Sequence, residues 1–403
     1  MPTIIPQDIL NVVVDHLAND RPTLKTCTLI SRFFRYSCQI HLFGTLCLKI
    51  DEERRNQQLL CILMDHPALA LCVQNLELQL LYLRWEPPTG HEHKPMVTII
   101  PLLLHLRSLR MTYESNYMLA WKGSGELHEA VLHLFNLPTL MRLSLGCIQD
   151  FPIDVFLRRC TRLRDLTLTL VYEPDNTPDS NNNPDLYAPS IVTPKFQLDA
   201  LRISTIQNSG RLLRGLIDSN SIGIQSLRKL EFGRVERVQD IDDCQKALED
   251  CAASLEIFKV SVASETLALS IGNALTKTMD LSRLSRLRKL TLEVDASMPE
   301  ALPWMHALLD SVSPSNNIEE VAIHDTGFRG TGIDLSDHRW SVVDLAIASW
   351  ASPSLRTVSL VIGQHWEPAS HPKILEGTFP GLSAKRVLAV VSRESLYSKF
   401  ALI

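Results

Sequence analysis

Apolar and polar positions along the chain fall into one short pattern that returns many times. It has an apolar residue, two variable residues, then apolar, variable, apolar. It reads VQNLEL at Val73, LRSLRM at Leu106, LMRLSL at Leu140, LRDLTL at Leu163, LDALRI at Leu198, LRKLEF at Leu227, LEIFKV at Leu255 and LRKLTL at Leu287. Weaker copies follow as IEEVAI at Ile318, LRTVSL at Leu355 and AKRVLA at Ala384. Ten intervals separate Val73 from Ala384, about 31 residues each. The alternating half of each copy predicts a short strand with one buried face. Between the copies, helices are predicted over 57–64, 127–135, 155–160, 212–217, 243–251, 303–312 and 342–350. Strand, crossover helix and strand, repeated, imply an α/β fold with a parallel sheet inside and helices outside. No unit buries its apolar face alone, so the units must stack as a solenoid. A non-repeating doubly wound sheet also carries strand leucines, but eleven near-copies at similar spacing favour the repeat.

Residues 1–50 follow a different period. In IIPQDILNVVVDHL, Ile9, Leu10, Val13, Val14 and Leu17 recur at helical spacing, with Pro6 and Asp8 suited to the first turn. Asn19 to Thr23 predicts a turn, TLKTCTLISRFFR (23–35) a second helix, and YSCQIHLFGTLCLKI a third short helix leading into a strand. On one continuous helix, Leu24, Cys27, Leu29, Ile30, Phe33 and Phe34 spread over an arc of about 220°. A helix packed on one core needs little more than about 100°. The excess predicts a second neighbour. Three short helices also bury too little surface to stand by themselves.

Two resemblances follow from these patterns. The repeats, from about residue 70 to 395, look like leucine-rich repeats, although the usual Asn after each strand is mostly missing. Residues 4–50 resemble an F-box. The residues that carry this are Ile5, Pro6, Asp8, Ile9, Leu10 and Val13, then Asp15, His16, Leu17, Asp20, Leu24, Cys27, Leu29, Ile30, Ser31, Arg32, Phe34, Leu42 and Phe43. Phe34 stands where that family often has Trp, which keeps apolar area but loses the indole N–H. The resemblance implies a domain, 1–50, that docks on a Skp-family adaptor through Ile5, Pro6, Ile9, Leu10, Val13, Leu17, Leu24, Ile30 and Phe34. The adaptor would link the chain to a cullin in an SCF-type ubiquitin ligase. A repeat domain, 51–403, of about eleven strand units would bind a protein substrate. The alternative is a leucine-rich-repeat scaffold with no ubiquitin link, whose N-terminal helices only cap the solenoid.

Composition narrows the chemistry. The chain has 403 residues, 45% hydrophobic and 21% charged, with 40 basic and 45 acidic residues and a formal charge of −5. This gives no general reason to expect nucleic acid or an anionic membrane as partner. The nine cysteines include no C-x-x-C pair and read as reduced, buried thiols of a cytoplasmic or nuclear protein. No secretory signal is visible, and the longest apolar run, from Val97, is too short to span a bilayer. His91 and His93 lack zinc-protease spacing, Gly123-Ser124-Gly125 is not a nucleophile elbow, and TGFRGTG lacks the Lys-Ser/Thr of a phosphate loop. No catalytic set, metal site or cofactor is expected, so the chain reads as a binding protein and not an enzyme.

The variable residue inside each strand should face the concave side. That row is Glu77, Arg110, Ser144, Thr167, Arg202, Glu231, Lys259, Thr291, Ala322 and Ser359. It is mixed in charge and small in side-chain size, unlike the basic stripe of a nucleic-acid reader. Substrate contacts are therefore expected from Arg110, Arg202, Glu231 and Lys259, and from loop aromatics, chiefly Trp85 and Trp366.

Overall fold

The computed structural model describes residues 6–80, 94–112, 119–120, 126–149, 153–172, 196–204, 209–218, 222–235, 237–262, 278–294, 301–313, 316–326, 339–350, 354–362 and 377–392. The chain forms two compact units, Met1–Phe196 and Gln197–Ile403. Both are α/β, with parallel strands alternating with helices.

The first unit opens with helices α1 (Gln7–His16), α2 (Arg21–Ile30) and α3 (Arg32–Phe43). Strands β1 (Thr45–Lys49), β2 (Asn75–Gln79), β3 (Ser108–Thr112), β5 (Arg142–Gln149) and β6 (Asp165–Tyr172) pair in that order, all parallel. A two-residue strand, β4 (Leu119–Ala120), pairs with the far end of β5. Helices α4 (Glu53–Asp65), α5 (Ala68–Cys72), α6 (Lys94–Ile99), α7 (Glu126–Phe135) and α8 (Ile153–Leu157) fill the connections. Phe135 of α7 and Phe156 of α8, both fully buried, meet edge to face at 4.7 Å.

In the second unit β8 (Ala200–Ser204), β10 (Lys229–Val235), β11 (Ile257–Val262), β12 (Lys289–Val294), β13 (Glu320–Asp325), β14 (Thr357–Ile362) and β15 (Leu388–Ser392) pair in parallel. Two short strands, β7 (Phe196–Gln197) and β9 (Ile222–Gly223), pair separately. The helices are α9 (Ser209–Asp218), α10 (Val238–Asp250), α11 (Ala301–Asp310), α12 (Arg339–Ser349) and α13 (Pro380–Lys385).

The repeat has a physical basis in one backbone device. The residue just before each strand offers its carbonyl to two successive N–H groups of the next strand. Gly44 O accepts from Gln74 and Asn75, Gln74 O from Arg107 and Ser108, and Arg107 O from Met141 and Arg142. In the second unit Asp199, Arg228, Glu256, Arg288 and Glu319 do the same. The hexad leucines lie beneath. Leu106, Leu109, Leu198, Leu227, Leu230, Leu287 and Leu290 are all buried.

Helices also staple neighbouring repeats. Asp344 on α12 accepts the N–H groups of Gly381 (2.8 Å) and Leu382 (2.9 Å) at the start of α13. Asp240 on α10 accepts the Gly210 N–H in α9 at 3.2 Å. A Cβ on Gly381 would lie 2.7 Å from the Ala348 side chain and 2.9 Å from the Asp344 carboxylate, so the close approach needs glycine there.

Two sequence expectations change. The helix predicted over 23–35 breaks at Ser31, which is extended (φ −149°, ψ 138°) and caps α3, its Oγ accepting from the Phe33 N–H at 3.2 Å. The strand expected after the third helix forms as β1, and its FGTLCL, from Phe43 to Leu48, carries the same spacing as the other copies, with Leu46 and Leu48 level with Leu76 and Leu78. The last copy is shifted by one: Leu388, not Val387, lies opposite Val358. A one-residue slip exchanges the faces of a strand, and near-uniform aliphatics around Val387 do not mark which face is which. The insertion predicted over 173–185 lies outside the described residues, as do most of those over 86–95 and 325–338.

Candidate protein-docking surfaces

The first surface is on the three N-terminal helices. Asp20 caps α2: its carboxylate accepts the Thr23 N–H at 3.1 Å and the Thr23 hydroxyl at 2.6 Å, bonds that hold its carboxyl below the usual range. Gln7 ties α1 to α3, donating to the Phe33 carbonyl (3.3 Å) and to Asn11 Oδ1 (3.0 Å), which in turn accepts from buried Ser37 (2.6 Å). His41 and Asp15 meet at 2.8 Å, and Arg21 donates to the Leu42 carbonyl at 3.1 Å. These bonds surround a small core of Val14, Leu24 and Cys38, on which Leu17, Cys27, Phe34 and Leu42 pack.

The break at Ser31 sorts the apolar residues. Leu10 and Leu24 are buried and hold the helices together, while Leu17 and Phe34 are half-buried in the same core. Pro6, Ile9, Val13 and Ile30 are exposed, whereas Ile5 lies outside the described residues. Val12, Leu29, Phe33 and Tyr36 join the exposed set, with Leu29 85% and Ile30 72% exposed. Sequence reasoning did not single out these four as contacts. The available signal was Ser31 itself, a strong cap residue two positions before Phe33.

The second surface is the inner face of the parallel strands in each unit. In the first unit Glu77, Arg110, Ser144 and Thr167 form one row across β2, β3, β5 and β6, continued by Cys47 of β1. In the second, Arg202, Glu231, Lys259, Thr291, Ala322 and Ser359 form another from β8 to β14, continued by Ala389. The charged members pair with one another or with charges on the same or an adjoining strand. Arg202 forks onto Glu231 (Nη2 to Oε1, 2.7 Å), and Lys229 reaches the same carboxylate at 2.7 Å. Partial burial pushes the Glu231 carboxyl up, but the two cations outweigh it and hold the group at about 2. Lys259 pairs with Glu293 at 2.7 Å, and His324 stands 3.7 Å from the same carboxylate. Arg110 lies 3.7 Å from Glu77. Trp85 and Trp366 lie outside the described residues.

A third pattern borders the second unit, at the residue before each strand. Arg228 binds Glu256 (2.8 Å), Arg288 binds Glu319 (2.8 Å), and Arg356 stands 3.7 Å from Glu319. With Asp199 at the first position, acid and base alternate along this edge from strand to strand.

Among the described residues no group of His, Cys, Asp and Glu is placed to hold a metal ion, and no helix is long and apolar enough to cross a membrane. Burial pushes the Cys160 and Cys251 thiols up to about 12. A scan against protein-family models and a search of curated proteins return no match for this chain.

Proposed function

We propose that the chain is the substrate receptor of an SCF-type cullin-RING ubiquitin ligase, its N-terminal helices being an F-box that docks a Skp-family adaptor and its leucine-rich repeats holding a protein substrate. One observation carries this reading. Ile9, Val12, Val13, Leu29, Ile30, Phe33 and Tyr36 are exposed on three short helices whose core is made by Val14, Leu24 and Cys38 with Leu17, Cys27, Phe34 and Leu42. A terminal helical cap is expected to turn a polar face to water. An apolar face of this size on so small a module fits a partner instead. The inner-face rows, with matched charges and small residues, fit a protein ligand better than a polyanion.

The test is co-expression with a Skp-family adaptor followed by size-exclusion chromatography, comparing wild type with an Ile9→Asp, Ile30→Asp double variant. Both positions are exposed, so the variant retains its core. Each aliphatic side chain buried at an interface contributes about 1.5–3 kcal/mol. The double change should therefore weaken the complex about a hundredfold or more. Folded wild type that forms no complex would support the cap reading and remove the ubiquitin-ligase assignment.

A further inference from the structure

The edge where the strands of the first unit begin departs from the rule seen in the second. There, edge arginines are matched by glutamates of the adjoining repeat. In the first unit the same positions hold Gly44, Gln74, Arg107, Met141 and Arg164, and among the described residues no acid pairs with Arg107. Arg142 follows Met141, level with Asp165 of β6, and it donates to the neutral Asn75 Oδ1 at 3.2 Å. The loop from α8 into β6 adds Arg158, Arg159 and Arg162. Arg107, Arg142, Arg158, Arg159 and Arg162 are exposed, and none of these five forms an ion pair among the described residues. Backbone and side-chain bonds join these loops. Arg107 O accepts from Met141 and Arg142, Met141 O accepts from Arg164 and Asp165, and the Thr139 hydroxyl reaches the Leu106 carbonyl at 2.7 Å.

Two exposed aliphatic side chains lie among the arginines: Leu104, just before β3, and Met141, just before β5. Unpaired guanidinium groups seek carboxylates in forked pairs. Exposed Leu and Met seek apolar side chains. From these two facts together we infer that this edge docks a protein segment in which acidic and large apolar residues alternate. A nucleic acid fits less well: none of the named edge residues is an aromatic that would stack on bases, and the chain is negative overall.

This inference stands apart from the adaptor reading, since the edge shares no residue with the exposed face of α1 to α3. The test is fluorescence anisotropy of a labelled peptide of alternating Glu and Leu, titrated with the purified full chain at low salt. Saturable binding is expected. It should weaken at least about tenfold when Gln replaces Glu in the peptide, or in an Arg107→Glu, Arg162→Glu variant. Met141→Ser should weaken it less, and Arg211→Glu, an exposed charge on α9, should leave it unchanged. A matching thermal transition would show that the variants are folded. Four results would overturn the inference: no saturable binding, equal binding by the Arg107→Glu, Arg162→Glu variant, tighter binding of single-stranded DNA of the same charge, or binding of a phosphoserine peptide but not the Glu peptide.

Discussion

Asp344 provides the sharpest test of how the repeats are joined. Its side chain is buried and accepts two backbone N–H groups, from Gly381 at 2.8 Å and Leu382 at 2.9 Å, at the first turn of α13. Asp344→Ala removes both acceptors and leaves two N–H donors without a partner where the helices approach closely, a Cβ on Gly381 touching the Ala348 side chain. An unsatisfied buried donor costs about 1–3 kcal/mol. Gly381 is only half-buried, so water recovers part of its loss. The sum is about 2–4 kcal/mol. Asp344→Asn keeps one acceptor oxygen and should lose about half as much. Urea unfolding of both variants, followed by circular dichroism, measures these losses as shifts in midpoint at constant slope. The second unit should respond while the first does not, because near-neighbour stacks transmit a local loss only through adjoining interfaces. An Asp344→Ala protein within about 0.5 kcal/mol of wild type would refute the argument that carboxylates on one helix pin the next.

Three further outcomes follow from particular side chains. Phe156→Ala deletes a fully buried ring packed on Phe135 and should cost about 3–5 kcal/mol in the first unit, read in the same urea experiment. Glu231 titrates in the fold at about 2, below its ordinary 4.5, so its pairing with Arg202 and Lys229 stabilises fully above about 4.5 and is lost as pH falls toward 2. A Glu231→Gln variant should thus be less stable than wild type at pH 7, with the difference shrinking on acidification, as thermal melts across that range would show. Native protein treated with a maleimide should label first at exposed Cys61, while buried Cys160, Cys244 and Cys251 react only in urea; early labelling of Cys251 by mass spectrometry would contradict its burial.

Much of this architecture was legible in the residues. The leucine spacing set both the strands and the inner-face rows, because the period-two alternation of a strand leaves one register once the apolar face is buried. Sequence reasoning stopped where two signals overlap. FGTLCL in β1 was legible as a strand but not as a further copy of the repeat, because it follows directly on helical residues and shares Phe43 with α3. Ser31 looks like any polar residue on a helix until its extended backbone places the hydroxyl on the Phe33 N–H. That single break decides which residues of the N-terminal module meet solvent, so Leu24 and Phe34 were grouped with Ile30 although Leu24 is buried and Phe34 is half-buried against the core. The inner-face charges were located by position, but that Arg202 and Glu231 are each other's partners follows only from the pairing of β8 with β10.

The alternating charges that border the second unit impose an arithmetic on its history. Asp199, Arg228, Glu256, Arg288, Glu319 and Arg356 alternate in sign at one place in six successive repeats. Removing a single internal repeat, such as the one carrying Glu256, sets Arg228 against Arg288, and duplicating a single repeat sets like beside like. Removing or copying two together keeps every neighbour opposite. An array built this way lengthens and shortens most easily by even numbers, so its natural module for recombination, and for an engineer wishing to extend it, is the pair.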